Sequence, residues 1–216
     1  MQKQSYFITG TDTNVGKTYI TCNLIKYFAT LGVGVLGMKP VAAGCELEND
    51  ELMNDDVCQL LDASNIKASI KLINPYVFQP AIAPHIAAKQ AGIIISLDVI
   101  TTAFVQLQKL ADVVIVEGVG GFCVPLNETE TTADLAVKLK LPIILVVGMR
   151  LGCINHALLT LQAIQARGLT LAGWIANQVS DEMTAYQENF NTLEKLISAP
   201  CLSQVKWNET ATFLSL

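Results

Sequence analysis

The run Tyr6-Phe-Ile-Thr-Gly-Thr-Asp-Thr-Asn-Val-Gly-Lys-Thr18 constrains this chain more than any other stretch. A short apolar segment enters a polar loop containing glycine, and Lys17-Thr18 open a stretch with helical spacing of its apolar residues. A strand, a glycine loop and a helix start in that order aim backbone N–H groups and the helix dipole at one point, which is how proteins hold phosphate. Asn14, Val15 and Gly16 supply backbone to such a ligand, Lys17 reaches its outer phosphates, and the Thr18 hydroxyl is placed to ligate Mg²⁺. The common pattern has four residues between its two glycines. Here Gly10 and Gly16 enclose five, and Thr11 stands where the first glycine is expected.

Apolar, β-branched runs recur at Tyr6–Thr9, Val33–Met38, Val113–Val116, Ile143–Val147, Leu171–Ala176 and Leu202–Val205. Unbroken apolar strands are buried on both faces, which implies a parallel sheet under helices. The stretches between them suit helices at Lys17–Leu31, Asp55–Leu61, Leu97–Leu110, Thr132–Leu139, Ile154–Arg167 and Met183–Ile197, with Gly32 and Gly168 as C-terminal caps. The expected fold is therefore α/β: a doubly wound, mainly parallel sheet with helices on both faces, of the P-loop NTPase kind, with residues 1–216 forming one domain. Ligands bind beyond the C-terminal strand ends in such sheets, so site residues should fall just after strands.

Lys39 ends the second run and would bring positive charge to a transferred phosphoryl group. Glu117 ends the third and takes the place of the usual metal-binding aspartate, followed by Gly118, Gly120 and Gly121, where backbone can approach a ligand closely. Asn54-Asp55-Asp56 reads from position alone as an N-cap with acidic first-turn residues. Only 15% of the 216 residues are charged and the net charge is −5, without the basic stripe of a nucleic-acid surface. No run reaches the roughly 18 apolar residues of a membrane span, and no signal-peptide pattern opens the chain, so a cytoplasmic protein is expected. The six cysteines form no C-x₂-C pair and read as reduced, packed thiols.

Gly10-Thr-Asp-Thr-Asn-Val-Gly-Lys-Thr18 resembles the phosphate loop of dethiobiotin synthetases, including its five-residue spacing. Lys39-Pro-Val-Ala-Ala-Gly44, Asn74-Pro-Tyr76, Pro84-His-Ile86, Val116-Glu-Gly-Val-Gly-Gly121, Leu151-Gly-Cys-Ile-Asn-His-Ala157 and Leu169-Thr-Leu-Ala-Gly-Trp-Ile-Ala-Asn177 follow in that family's order. The resemblance implies ATP- and Mg²⁺-dependent joining of CO₂ to 7,8-diaminopelargonate, giving dethiobiotin, ADP and phosphate. A substrate amine traps CO₂ as a carbamate, the carbamate attacks the γ-phosphorus, and the second amine closes a cyclic urea on the resulting carbamic–phosphoric anhydride.

By the same resemblance Lys17, Lys39 and Thr13 serve the reacting centre, and Thr18, Asp56 and Glu117 organise Mg²⁺. Asn177 reads the adenine edge. Gly152, Cys153 and Ile154 begin a helix whose free N–H groups hold the substrate's distal carboxylate, and Asn155 joins that site across a homodimer interface. Tyr186 is the candidate for a tyrosine contributed by the partner subunit, and His85 either shapes the diamine pocket or packs. Asn14, Ala43, Ala81-Ile-Ala83 and Arg150 depart from the family's usual residues, which bears on fine substrate contacts. Amide-forming ligases related to cobyrinic acid synthases carry an added glutamine-hydrolysing domain, for which this sequence has no room. ATP-switched partitioning proteins carry a lysine near the loop's start, where this chain has Thr11-Asp12-Thr13.

Overall fold

A computed structural model of the chain describes residues 4–48 and 51–213. Strand β1 (Tyr6–Gly10) leads through the glycine loop into helix α1 (Lys17–Thr30), and β2 (Val35–Met38) follows. Three short strands come next: β3 (Val41–Ala43), β4 (Glu46–Glu48) and β5 (Glu51–Met53). Helices α2 (Asp55–Ala63) and α3 (Ile70–Ile73), strand β6 (Tyr76–Phe78), and helices α4 (Pro84–Gln90) and α5 (Leu97–Leu107) complete the first half. The second half alternates strictly: β7 (Val113–Glu117), α6 (Thr132–Leu139), β8 (Ile143–Met149), α7 (Cys153–Ala166), β9 (Leu171–Gln178), α8 (Tyr186–Leu196) and β10 (Cys201–Val205).

The main sheet runs β10-β9-β8-β1-β7-β2 with every pairing parallel. All six expected apolar runs lie in it. The reason is visible in the burial: β1, β2, β7 and β8 are buried at every position, so alternate residues feed cores on opposite faces. Tyr6, Ile8, Val35, Val113, Ile115, Ile144 and Val146 pack with α1 and α2. On the other face Phe7, Leu36, Met38, Val114 and Val116 pack with α5 and α6. Farther along that second face Leu145, Val147, Met149 and Trp174 pack with α7 and α8. Covering both faces with helices leaves the C-terminal strand ends as the open edge, and the reversal of strand order around β1 opens a crevice there.

Element boundaries differ from expectation in understandable places. The second run begins as strand only at Val35, because Gly32 closes α1 in a left-handed conformation and Val33 folds back on Phe28. The last helix starts at Tyr186 instead of Met183, and the fifth ends at Leu107 instead of Leu110. Helix α7 begins one residue early, at Cys153. Between Val41 and Gln90 the short strands and helices α3 and α4 were not expected, since pieces of three to seven residues hold too little periodicity to read. They form two small accessory sheets, β3 with β6 and β4 with β5, and build one wall beside the open edge.

Candidate functional site

The glycine loop is shaped by what it touches. The Thr11 N–H donates to the Val146 carbonyl at 3.0 Å, and the Thr11 hydroxyl accepts from the Gly148 N–H at 3.3 Å, so the loop's first residue is stitched to β8. Thr11 has no left-handed backbone, which explains why the longer spacing needs no glycine there. The turn is made later, by Asn14 at φ 57 and Gly16 at φ 84. At Gly16 a side chain is excluded twice, by that φ and by the Asn177 amide nitrogen, which would lie 2.2 Å from an added Cβ. Val15 is buried beneath the loop, and Asn177 donates to its carbonyl at 2.9 Å.

Lys17 curls over this loop and donates to the Asp12 carbonyl at 2.9 Å. The Asp12 carboxylate in turn accepts from the Thr13 N–H at 2.8 Å and from Arg150 at 2.5 Å, which pins the loop to the end of β8. Burial pushes the Lys17 ammonium down to about 8, with Lys39 adding to that effect, and the Glu117, Asp56 and Asp12 charges only partly offset it.

Glu117 stands at the end of β7, buried, with one carboxylate oxygen accepting from the Thr18 hydroxyl and from Lys39, both at 2.7 Å. Lys39 leaves β2 and bridges Glu117 to Asp56. Its backbone is fixed on both sides: its N–H donates to the Ile73 carbonyl at 3.0 Å and its carbonyl accepts from Asn74 at 2.6 Å. Burial alone would lower the Lys39 pKa, yet Glu117 and Asp56 outweigh it and hold the ammonium above the ordinary lysine range. Desolvation likewise works against charge on Asp56, and Lys39 and Thr18 overcome it and keep that carboxyl below its usual range. Asn54 is the N-cap of α2, accepting from the Asp56 N–H at 3.1 Å. Asp56 therefore belongs both to a capped first turn and to the charged cluster.

These groups border a cavity of about 800 Å³ at the strand ends, lined by Thr13, Asn14, Gly16, Lys17, Thr18, Lys39, Asp56, Glu117 and Gly120. Its far wall is apolar: Ala43, Ala81, Ile82, Ala83, Pro84, Val119 and Val124. That wall is gathered from the end of β3, the turn leading into α4 and the loop after β7, and no sequence periodicity marks it. The second Glu117 oxygen is buried without a partner. An acceptor left bare beside a hydroxyl and a second carboxylate suits a hard divalent cation. Among the described residues no three His, Cys, Asp or Glu side chains converge, so such an ion would take only Glu117, Asp56 and Thr18 from the protein. Mg²⁺, which keeps several waters and is commonly completed by phosphate oxygens, fits that sparse set.

Other expected residues lie elsewhere. Gly118 does not line the cavity; its N–H donates to the Ile8 carbonyl at 2.9 Å, and a side chain there would crowd the β1 backbone. Asn177 borders a neighbouring cavity of about 420 Å³, with Tyr19, Gln178 and Val205–Asn208. Gly152, Cys153, Ile154 and Asn155 sit at the start of α7, beside a fully exposed Leu151, and do not reach the first cavity of the same chain. His85 lines a separate cavity, with its Nδ1 buried and unpartnered. The Tyr186 hydroxyl points into its own core, where burial drives it up to about 12, and so is not presented to another subunit.

A phosphate loop between a buried strand and a helix, with lysine, hydroxyl and carboxylates gathered at adjoining parallel strand ends, defines a P-loop nucleoside-triphosphate-binding protein. A family model described as an AAA domain matches residues 4–213. The ATP-dependent dethiobiotin synthetase BioD of Nitrosospira multiformis is 52% identical over 206 residues, 95% of this chain and 89% of that one. The protein of the same name from Pseudoalteromonas translucida is 42% identical over 99% of this chain and 94% of its own length. The chain belongs to the ATP-dependent dethiobiotin synthetase family, and it is an enzyme of the ligase class. Among solved structures it resembles a ParA family ATPase from Chlorobium tepidum, with TM-score 0.59 at 15% identity over 96% of this chain and 86% of that one. The MinD cell division protein of Aquifex aeolicus gives TM-score 0.58 at 16% identity over 94% and 81%. At such identity the likeness is one of fold alone.

Proposed function

We propose that the enzyme joins CO₂ to 7,8-diaminopelargonate at the cost of ATP and closes the product to dethiobiotin, releasing ADP and phosphate. One observation carries this reading: Lys17, Lys39, Thr18, Asp56 and Glu117 converge on one cavity whose opposite wall is apolar. The charged end suits a polyphosphate and a carbamate, and the apolar wall suits an aliphatic diamine.

The glycine loop and Lys17 bind and orient the phosphates. Lys39, between two carboxylates, is placed to turn toward the carbamate and the transferred phosphoryl group and to neutralise the charge that moves between them. Mg²⁺, held by Thr18, Glu117 and Asp56, would supply further charge neutralisation on the phosphate oxygens when bound. Thr13 would donate to an oxygen at the reacting end. No side chain is asked to form a covalent bond; the chemistry rests on positioning and charge. The substrate carboxylate would be taken by the N–H groups that open α7, Gly152–Asn155, of a second copy in a homodimer. Cytoplasmic action fits a soluble biosynthetic role, and no helix among the described residues is long and apolar enough to cross a membrane.

The test is phosphate release from Mg·ATP in bicarbonate buffer, with and without the diamine, and a mass measurement of the product. Release that depends on the diamine, with one carbonyl added in a ring, supports the reading. Tight ATP binding without a response to the diamine would sink it.

A further inference from the structure

The chain's C-terminal segment contains a turn fixed at both ends. After Val205 leaves the sheet, Lys206–Glu209 form a turn closed by the Glu209 N–H donating to the Lys206 carbonyl at 3.0 Å. Asn208 takes φ 61 in that turn, a conformation asparagine tolerates. The Glu209 carbonyl then accepts from the Tyr19 hydroxyl at 2.6 Å. Tyr19 lies in the first turn of α1, the helix that begins at Lys17. Farther on, Ala211 is buried against the α1 face of the sheet, and the Phe213 ring lies 5.4 Å from that of Tyr27, also on α1. The segment is thus a strap anchored on the phosphate-loop helix.

This strap forms one side of the 420 Å³ cavity that Asn177 and Gln178 border from β9. Two large rings there, Tyr19 and Trp207, are 41% and 46% exposed although the strap around them is tied down. Flat aromatic faces beside the Asn177 side-chain oxygen and the Asn208 amide suit a heteroaromatic base, and the cavity shares Asn14 and Gly16 with the phosphate site.

We infer that Tyr19 is a positioning residue for the nucleotide base: its hydroxyl latches the C-terminal strap through Glu209 and so fixes the Trp207 wall of the base cavity. The assignment rests on the nucleotide-binding part of the proposed function and not on the diamine chemistry. The loop and Lys17 grip phosphates independently of the strap, so the latch should govern the base alone.

Tyr19→Phe keeps the ring and removes only the tie, and Phe213→Ala loosens the far anchor without touching the cavity. Calorimetry would compare Mg·ADP with inorganic tripolyphosphate, a probe that has phosphates and no base. Tyr19→Phe should weaken ADP about three- to tenfold, the range expected for one hydrogen bond, and leave tripolyphosphate unchanged. Phe213→Ala should do the same in the same direction, and in turnover the KM for ATP should rise with kcat and the diamine KM unmoved. Equal weakening of both probes would place Tyr19 in the phosphate site and overturn the latch, as would no change in either. Wild-type ADP binding without diamine-dependent turnover would remove the synthetase reading and leave the latch standing. Wild-type protein that binds tripolyphosphate and gains nothing from the base would remove the base cavity and the latch together.

Discussion

Lys39 has two jobs that pull against each other. It compensates a buried Glu117 and a half-buried Asp56, and in turnover it is proposed to leave them for the reacting groups. Lys39→Ala should lower kcat at least a hundredfold, the usual scale for losing a preorganised charge at a reacting centre. Deleting one member of a buried pair also strands the other, so a denaturation midpoint should reveal a loss of roughly 3 kcal/mol. Mg²⁺ alone should restore part of that stability, since a divalent cation can take the ammonium's place against both carboxylates. An unaltered rate would remove Lys39 from the site. Lys17 makes a separate case. Its ammonium titrates near 8 in the folded chain, below the ordinary lysine value, so between those two values the unfolded chain binds more protons and stability rises with pH. Polyphosphate favours the charged form, so ADP binding just above pH 8 should take up a proton and weaken as pH rises. Calorimetry in buffers of different ionisation heat reads this directly, and Lys17→Met should abolish the proton uptake.

At the scale of elements, the site depends on how tightly β2 lies under α1 and α2. Gly37 sits two residues before Lys39, and a Cβ there would come 2.7 Å from Leu60 and 2.8 Å from Ile25. Both neighbours are fully buried, so they have little room to yield. Gly37→Ala should therefore destabilise by about 1–3 kcal/mol, measured by denaturant unfolding. It should also raise the KM for ATP, because the end of β2 carries Lys39. Full stability with an unchanged KM would show that the helix layer gives way more easily than this packing implies.

For the whole molecule, the two halves of the expected substrate site do not share a cavity within one chain. Thr13, Lys39 and the apolar wall share a cavity, while Gly152–Asn155 lie at the start of α7 beside an exposed Leu151. A symmetric pair of chains can bring such separated patches together twice, once for each site. Mixing Lys39→Ala with Asn155→Ala subunits should then recover activity that neither variant has alone, because one site of each mixed pair is intact. Sedimentation should find a dimer. Failure of complementation in a proven dimer would place the carboxylate within one chain.

The doubly wound sheet, the phosphate loop and the acid that ends β7 were legible because each is local. Unbroken apolar runs mark the strands, and loop, lysine and hydroxyl are contiguous in the chain. Asp56 was ambiguous, since a carboxylate in a first turn looks alike whether it serves the helix or a site 61 residues away in sequence at Glu117. Only folding settled its place, by carrying Lys39 between the two. The Arg150–Asp12 tie and the Tyr19–Glu209 latch had no signature at all. Their partners are brought together by strand order, and a parallel sheet sets neighbours in space that are distant in the chain. The order of residues alone marks a phosphate-binding loop and the strands that carry it; folding chose which groups compensate, support and enclose it, because those contacts exist only between elements.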